Sequence, residues 1–315
     1  MKVASFFSGV GGIDLAFHRA GFTVVWANEI DNKAALTYAL NFTSPITVND
    51  IRKVRAIDIP DFDVLAGGFP CQAFSVAGHQ KGFEDDRGTL FFELERIIRA
   101  KQPSIVFLEN VKHLAHHDEG RTLKIIIERL EDAGYTVKYK VMNAIEYGNI
   151  PQNRERIYIV GFKDAEAAEL FEFPEKIPLT ARLHDYISFD SHEDQSLYYS
   201  PETTKCYDVL KDGITKRGAV YQVRRNAYVR QHRSEGVPTL TANMGTGGNN
   251  VPIILDDKGI RKLSPRECFN LMGFPQDFRL PDIAKSQLYK QAGNSVVVQV
   301  VERIAKAIRK AAYVA

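Results

Sequence analysis

The stretch Phe7-Ser8-Gly9-Val10-Gly11-Gly12 decides the fold, because it places a glycine-rich turn directly after a short apolar run, Val3–Phe7. A segment with helical spacing of apolar residues, Ile13–Phe17, follows the glycines. A strand, a glycine turn and a helix in this order are typical of the first corner of a doubly wound α/β sheet. Glycines there let a ligand approach the backbone. The stretch therefore predicts a binding site at the end of the first strand.

The rest of the first half repeats this alternation of strands and helices. Further strand candidates are Thr23–Ala27, Val64–Ala66, Ile105–Leu108 and Ile157–Val160, and single apolar helix faces occur at Leu90–Ile98 and Leu123–Leu130. Such alternation predicts an α/β fold with a mainly parallel sheet covered by helices on both faces. After about residue 175, prolines and a polar stretch break the rhythm. We expect a first domain at 1–178, a smaller, irregular β-rich domain at 179–262, and a hinge with a terminal helix at 263–315 that rejoins the first domain.

Composition excludes several classes of protein. The chain has 315 residues, of which 44% are hydrophobic and 25% charged, so a disordered or low-complexity chain is excluded. Its three cysteines form no Cys-x-x-Cys pair, so neither a disulfide framework nor a structural zinc site is indicated, and we expect no metal. No apolar run reaches the length of a membrane span. We expect a cytoplasmic protein without membrane association.

The formal net charge of +2 conceals a basic segment, Lys205–Arg233. This segment has eight basic residues against two acidic ones, a charge of +6, and it also contains Tyr207, Tyr221 and Tyr228. Basic residues interleaved with aromatic ones fit contact with a nucleic acid, whereas an exposed basic face without function is the alternative.

Acidic side chains follow two of the predicted strand ends. Glu29 lies about 20 residues after the glycines, where a carboxylate commonly holds ribose hydroxyls. Asp50 follows Val48 and Asn49, interpreted as the end of a further strand, where it can accept from an adenine amino group. The spacing fits a dinucleotide as well as S-adenosylmethionine. A tight turn beside a surface glutamate is the alternative.

Cys71 follows two glycines in a loop after the strand at Val64–Ala66. A cysteine in such a loop is accessible to a substrate and can act as a nucleophile, but a free cysteine is equally well a small buried hydrophobe. Cys206 and Cys268 have no comparable setting and are interpreted as packing residues.

Glu109 ends an apolar strand, and Arg154 and Arg156 precede another. A poorly solvated carboxylate has a raised pKa that suits proton donation, although Glu109 and Asn110 can instead form a helix-capping pair. The two arginines project to the same side of an extended chain and can bind a phosphate or orient a carboxylate. A solvated charge run is the alternative.

These motifs, in this order, resemble those of the bacterial DNA cytosine-5 methyltransferases. The resemblance rests on Phe7–Gly12, Gly68–Gln72, Glu109–Val111, Gln152–Arg156, Arg261–Glu267 and Gly293–Val296, and it covers nearly the whole chain. It implies a catalytic domain that binds S-adenosylmethionine, with S-adenosylhomocysteine as product, and a smaller target-recognition domain.

The resemblance also implies site residues. Cys71 would add to C6 of cytosine, Glu109 would bind the base edge and favour protonation at N3, Arg154 would contact the cytosine carbonyl, and Arg156 would support the site. The implied cofactor residues are Phe7, Gly9, Val10, Gly11, Gly12, Glu29, Ile30, Asp50, Ile51, Pro70, Leu90, Asn294, Ser295 and Val296. The implied DNA-contacting residues are Gln72, Ser75, Gln222, Arg224, Arg225, Arg230, Thr239 and Leu240.

The resemblance implies a monomeric enzyme that flips a cytosine out of double-stranded DNA, with Ser75–Gly82 as a mobile loop and Gln222 as the residue that enters the vacated space. A cognate restriction endonuclease that reads the same sequence is compatible with it. Three alternatives remain at this stage: a hydride-transferring enzyme, a DNA-binding module without activity, and a transfer-RNA cytosine-5 methyltransferase.

Overall fold

The computed structural model describes residues 1–70, 89–232, 236–247 and 250–314. The described strands are β1 (Lys2–Phe6), β2 (Thr23–Glu29), β3 (Ile46–Val48), β4 (Val64–Gly68), β5 (Ile105–Val111), β6 (Thr136–Asn143), β7 (Gln152–Asn153), β8 (Glu155–Phe162), β9 (Tyr221–Arg224), β10 (Tyr228–Gln231), β11 (Val237–Pro238), β12 (Ile253–Leu255) and β13 (Ile260–Lys262). The described helices are α1 (Gly12–Arg19), α2 (Asn32–Asn41), α3 (Thr89–Lys101), α4 (Arg121–Asp132), α5 (Ala144–Gly148), α6 (Ala165–Leu170), α7 (Tyr207–Gly213), α8 (Pro265–Leu271), α9 (Lys285–Asn294) and α10 (Val298–Val314).

Internal contacts group these elements into two compact units. The first unit comprises residues 1–142, 155–175 and 300–315, and the second comprises 143–154 and 176–299. The predicted division near residue 178 lies close to the one at 175. However, the structure assigns 143–154 and 263–299 to the second unit, because the contacts of these segments lie mainly within it.

Within the described residues, the first unit contains a seven-stranded sheet with the order β3-β2-β1-β4-β5-β8-β6. Strands β1 to β5 pair in parallel, and β8 pairs antiparallel with β5. The predicted α/β class with a mainly parallel sheet is therefore confirmed. Because the strand order reverses direction between β1 and β4, the carboxyl ends of these two strands flank the switch point where doubly wound sheets bind ligands.

The interior of the first unit is apolar, as the strand patterns predict. Phe6, Trp26 and Phe91 belong to one buried cluster, and four of the five residues of β1 are buried. Helix α2 begins after Asp31, whose carboxylate accepts from the N–H groups of Lys33 and Ala34, as an N-cap does.

The second unit has, among its described residues, a four-stranded sheet in the order β10-β9-β12-β13 and a parallel pair of β11 with β7. Its own apolar cluster includes Leu210, Tyr221 and Ile253. Cys206 and Cys268 are both buried, as packing residues are. In the part of the chain that is described, no helix is long and apolar enough to cross a bilayer.

Candidate active site

The glycine loop after β1 has a backbone that side chains would obstruct. Phe7, Gly9 and Gly11 all have positive φ angles, of 53°, 56° and 87°. A Cβ on Gly11 would lie 2.2 Å from the ring of Phe42, so this position accepts glycine alone. A Cβ on Gly9 would instead meet no described atom within 4 Å. Among the described residues, the loop thus packs on one side and leaves room beside Gly9.

Glu29, at the end of β2, is bound to the same loop. One carboxylate oxygen accepts from the N–H of Gly9 at 2.8 Å, and the other accepts from Ile30 and Asp31, each at 2.9 Å. A carboxylate has about four acceptor positions, so Glu29 retains capacity for a ligand hydroxyl. Two apolar side chains near these strand ends are exposed: Ile30 is 61% exposed and Val48 is 43% exposed.

The remaining cofactor candidates of the first unit also follow strand ends or begin a helix. Asp50 caps a short 3₁₀ turn and receives hydrogen bonds from the Arg52 guanidinium, which lower the pKa of the carboxyl group. Ile51 is buried, Pro70 is exposed, and Leu90 at the start of α3 is partly buried. The carboxyl ends of β1 to β4 therefore contribute all of these residues except Leu90.

Glu109 and Arg156 form an ion pair on the neighbouring strands β5 and β8. The Arg156 Nε lies 3.0 Å from the Glu109 Oε1, and the two side chains are only 13% and 11% exposed. A Cβ on Gly68 would lie 3.1 Å from the other carboxylate oxygen of Glu109, so glycine at this position makes room for that carboxylate. An acid and a guanidinium therefore face each other beside the end of β4.

Asn110 has a structural role that sequence reasoning missed. It lies within β5, and its amide nitrogen donates to the carbonyl of Phe69 at 2.8 Å. The capping alternative for Glu109 and Asn110 is therefore wrong, because Val111 precedes the 3₁₀ turn that follows. The hydrogen bond holds the end of β4 two residues before Cys71. The available indication of this role in the sequence was the position of Asn110, directly after the acid Glu109 at the predicted end of the strand.

Arg154 is held by backbone carbonyls. Arg154 is 3% exposed and lies in the second unit, where its guanidinium donates to the carbonyls of Leu240 at 2.6 Å, Gly293 at 3.1 Å and Ser295 at 2.5 Å. A guanidinium engaged by three backbone carbonyls joins segments of its own unit. The arginine beside Glu109 is Arg156. The cytosine contact expected of Arg154 and the supporting role expected of Arg156 stay predictions.

The side chain of Leu240 is fully buried, so a DNA contact by this residue would have to come from its backbone. Its backbone is held by the Gln152–Arg154 segment: the Leu240 N–H donates to Gln152 Oε1 at 3.1 Å. Thr239 is partly exposed and donates to the carbonyl of Asn153 at 2.6 Å. Of this dipeptide, only Thr239 has a side chain that can reach a ligand.

Asn294, Ser295 and Val296 follow directly on Gly293 in the second unit. A Cβ on Gly293 would lie 2.1 Å from the carbonyl carbon of Thr241, so only glycine allows this close approach. Asn294 is exposed, Ser295 is partly buried and Val296 is buried. The proposed contribution of these three residues to cofactor binding stays a prediction.

The basic segment contains a β-ribbon with two different faces. Strands β9 and β10 pair antiparallel, with Gln222 opposite Arg230 and Arg224 opposite Tyr228. These four side chains share one face because side chains alternate along a strand, and all but the partly buried Gln222 are exposed. Arg225 lies at the exposed tip of the ribbon.

Tyr221, Val223 and Val229 occupy the opposite face of the ribbon and contribute to the apolar cluster of the second unit. Tyr221 is 1% exposed and is therefore a core residue, not a nucleic-acid contact as its sequence position suggested. Arg217 pairs with Asp257, which neutralises part of the basic segment.

Cys71, Gln72 and Ser75, together with the rest of the predicted loop up to Gly82, lie outside the described residues. Within the described ranges, no group of three His, Cys, Asp or Glu side chains is arranged to hold a metal ion.

Known proteins resemble this chain over nearly its whole length. The profile of the C-5 cytosine-specific DNA methylases matches residues 1–310. The type II methyltransferase M.Bsp6I of Bacillus sp. (strain RFL6) is 54% identical over 312 residues, which cover 98% of this chain and 99% of that protein. M.HhaI of Haemophilus parahaemolyticus is 37% identical over 319 residues, which cover 97% and 93%.

Solved structures share the fold. The Entamoeba histolytica methyltransferase EhMeth covers 98% of each chain with a TM-score of 0.77 and 20% identity. A putative DNA modification methyltransferase encoded within an E. coli prophage covers 99% of each chain with a TM-score of 0.71 and 24% identity. Since the family profile spans nearly the entire chain and full-length relatives exceed one-third identity, the chain belongs to the C-5 cytosine-specific DNA methylase family.

Proposed function

We propose that this enzyme transfers a methyl group from S-adenosylmethionine to C5 of a cytosine flipped out of double-stranded DNA, through a covalent adduct between Cys71 and C6. The observation that carries the proposal is the buried pair of Glu109 and Arg156 beside the end of β4, three residues before Cys71. Cytosine C5 is a weak nucleophile, so a thiolate must first add to C6 to build electron density at C5. A protein that does this needs a group on the base edge opposite the thiol.

Glu109 supplies that group. Its carboxylate binds the N3 and N4 edge of the cytosine and stabilises a proton at N3 while the Cys71 sulfur bonds to C6. The sulfonium of S-adenosylmethionine supplies the methyl group, which C5 attacks. Loss of the C5 proton and elimination of the Cys71 thiolate then restore the aromatic ring and free the enzyme.

Arg156 takes the role first expected for Arg154. Its guanidinium already contacts Glu109, and its remaining donors can reach the cytosine O2, where negative charge develops during addition. Arg154 instead supports the backbone of Leu240 and Ser295, and so acts through the structure of its own unit.

The residues at the strand ends of the first unit fit S-adenosylmethionine. Space beside Gly9 admits the ligand to the loop, Glu29 can accept from ribose hydroxyls, and the exposed Ile30 can cover an adenine face. Asp50 can accept from the adenine amino group. A ligand with an apolar base and a hydroxylated sugar therefore matches what these side chains offer.

Double-stranded DNA is the proposed substrate, and the β9–β10 ribbon is its proposed reader. The major groove admits a two-stranded ribbon, and arginine donates in bidentate fashion to guanine. Arg224, Arg225 and Arg230 are the proposed contacts, with Gln222, Thr239, Gln72 and Ser75 as further ones. A monomeric state, a cytoplasmic location and a restriction endonuclease of the same specificity complete the proposal.

Replacing the ribbon arginines singly should weaken DNA binding. We expect Arg224→Ala, Arg225→Gly and Arg230→Ala each to cost about 1–3 kcal/mol where the arginine reads a base, and to relax specificity at one position. An arginine on a phosphate would weaken all sequences alike and reduce the salt slope by about 1. Glycine suits position 225 because its φ is 54°.

The measurement is fluorescence anisotropy on the cognate duplex and on single-base variants at several salt concentrations. Lys211→Ala is the matched control, since Lys211 lies in the same basic segment but on helix α7. Equal losses for Lys211→Ala and the ribbon variants would contradict the assignment of the ribbon as the reader.

The overall function is tested by incubating the protein with labelled S-adenosylmethionine and a broad pool of duplexes, then mapping modified cytosines by sequencing. We expect 5-methylcytosine at one recurring sequence. Duplexes that contain 5-fluorocytosine should trap a covalent complex with the wild type but not with Cys71→Ser, because fluorine blocks the elimination step. A parallel incubation with transfer RNA distinguishes the alternative substrate, and label in RNA alone would overturn the proposal.

A further inference from the structure

Asp14 is a buried carboxylate two residues after the glycine loop Phe7–Gly12, which is called the cofactor loop below. The proposed reaction does not use this carboxylate. It lies on α1, is fully buried, and accepts from the Ser5 hydroxyl at 2.7 Å and from the Tyr38 hydroxyl at 2.8 Å. Within the described residues, no charged side chain pairs with it. A buried charge without a cationic partner is costly to keep, so its retention calls for an explanation.

The hydrogen bonds around Asp14 run in one direction. Ser5 donates its single hydroxyl proton to Asp14, so its oxygen can accept from the hydroxyl of Ser8, which lies 3.1 Å away. On the other side, the Tyr38 hydroxyl also donates its proton to Asp14, so the Ser44 hydroxyl, 2.8 Å away, donates to Tyr38. Two hydroxyls therefore donate directly to the Asp14 carboxylate, and each of these two accepts a hydrogen bond from a further hydroxyl.

Ser8 is the part of this chain that belongs to the cofactor loop. Its carbonyl accepts from the N–H of Gly11, and its own N–H donates to the carbonyl of Asn28. The orientation of Ser8 thus affects the backbone on both sides of Gly9. Because Ser5 joins Ser8 to Asp14, the state of the carboxylate is linked to the geometry of the loop.

Protonation of Asp14 would break the one-way pattern. A carboxylic acid carries a proton that must itself be donated, so either Ser5 or Tyr38 must turn its own proton elsewhere. If Ser5 turns toward Ser8, the Ser8 hydroxyl can no longer donate to the Ser5 hydroxyl and keeps only its other acceptor, the Ser5 carbonyl at 3.2 Å. The hydrogen bonds that orient Ser8 in the loop would then change.

The burial of Asp14 brings its titration into a pH range in which binding can be measured. Burial raises the pKa of Asp14 to about 6, although the hydrogen bonds from Ser5 and Tyr38 lower it in part. The proton is thus bound more tightly in the folded than in the unfolded protein. The stability contributed by the protonated form is fully present below pH 4 and is lost as pH rises toward 6.

Helix α2 contributes the titratable side chain of Tyr38 to the network around Asp14. The other titratable and charged groups of the elements packed around Asp14 lie or bind elsewhere. The Glu29 carboxylate at the end of β2 binds backbone N–H groups of Gly9, Ile30 and Asp31, whereas β1 contributes Ser5 and β4 has no titratable residue. At the far end of α1, His18 and Arg19 lie in its last turn, and α10 places Glu302 near Arg19 and Arg309 on the carbonyl of Ala20.

We propose that Asp14 is a positioning residue for the cofactor loop, whose ionised carboxylate holds Ser5 and, through it, Ser8 in the arrangement that binds S-adenosylmethionine. The inference rests on the proposed binding of that cofactor beside Gly9. It makes cofactor affinity depend on the protonation of a group that never touches the cofactor.

The test is isothermal titration of S-adenosylhomocysteine into the full chain between pH 5 and pH 8. The wild type should lose affinity about fivefold as pH falls across this range, because a one-unit difference in the pKa of Asp14 between free and bound protein reaches its tenfold limit only at lower pH. Asp14→Asn mimics the protonated acid and should bind at pH 7.5 at least as weakly as the wild type does at pH 5, without pH dependence.

Ser8→Ala is the matched variant, because it cuts the link to the loop but leaves Asp14 and Glu29 in place. We expect its affinity to be independent of pH, whereas the pH dependence of its thermal unfolding should follow the wild type. Asp14→Asn should lose both dependences. If Asp14→Asn does not fold, Ser8→Ala alone decides between the outcomes.

A pH dependence of binding that persists in Ser8→Ala and Asp14→Asn would overturn the role of Asp14. A wild type that binds S-adenosylhomocysteine with the same affinity at all pH values would also overturn it, while leaving the proposed function intact. Absence of any binding by the wild type would instead overturn the proposed cofactor, and this inference with it.

Discussion

Replacing Glu109 by Gln is expected to lower kcat for methyl transfer by about 10²–10⁴-fold, the usual loss when a positioned proton-transfer group is removed. Glutamine has the same shape but cannot stabilise a proton at N3 of the cytosine. It also leaves the Arg156 guanidinium without the carboxylate that lies 3.0 Å away. Both effects oppose the addition of Cys71 to C6, so the loss should appear in the chemical step.

Single-turnover methylation of a cognate duplex measures this step. Glu155→Gln is the matched control, because Glu155 begins the adjacent strand but forms a partly exposed pair with Lys112. We expect Glu155→Gln to react like the wild type. A Glu109→Gln variant with less than a tenfold loss would show that the base is activated by another group.

Replacing Arg261 by Leu is expected to destabilise the protein by about 3–5 kcal/mol, the cost of removing one partner from a buried ionic network. Arg261 is fully buried in the second unit, and its guanidinium lies 2.8 Å from both Asp256 and Glu267. It also donates to the carbonyl of Ser188 at 2.6 Å. Without it, two buried carboxylates would face each other without a cation.

Differential scanning calorimetry at pH 7 measures the effect on unfolding. Arg55→Leu is the control, because Arg55 pairs with Asp58 on the surface and its loss should leave the unfolding midpoint unchanged. The same midpoint for Arg261→Leu and the wild type would contradict the assigned role. Glu267, a partner of Arg261, also caps helix α8 together with Ser264. We therefore expect Arg261→Leu to lower the unfolding midpoint by more than Ser264→Ala does.

Much of the first unit could be predicted from the sequence because its strands are buried and short. Every strand candidate of the first half overlaps an observed strand, and Val3–Phe7 extends one residue past β1. Each was apolar because both faces of a central strand are covered. Strand β6 was missed. It lies at the edge of the sheet, and its alternation of Val137, Tyr139 and Val141 with lysines lacks the continuous apolar run of the central strands.

The second unit was predicted less completely because its segments are distant in the chain. Residues 143–154 belong to it although they lie between two strands of the first sheet. Strand β7 pairs with β11, more than 80 residues away, and no local pattern reveals such a pairing. The burial of the Leu240 side chain could not be predicted for the same reason, since only the packing of the folded chain shows it.

The sequence by itself determined the family of this protein, since a glycine loop, an acid at a strand end and paired arginines occur in it in the order that the family has. Only the tertiary structure decided which of these groups meet. Arg154 and Arg156 are two residues apart, yet Arg156 contacts Glu109 while Arg154 binds carbonyls up to 141 residues away. The physical reason is that a guanidinium is satisfied by whichever acceptors the folded chain brings within hydrogen-bond distance, and those acceptors lie far away in sequence.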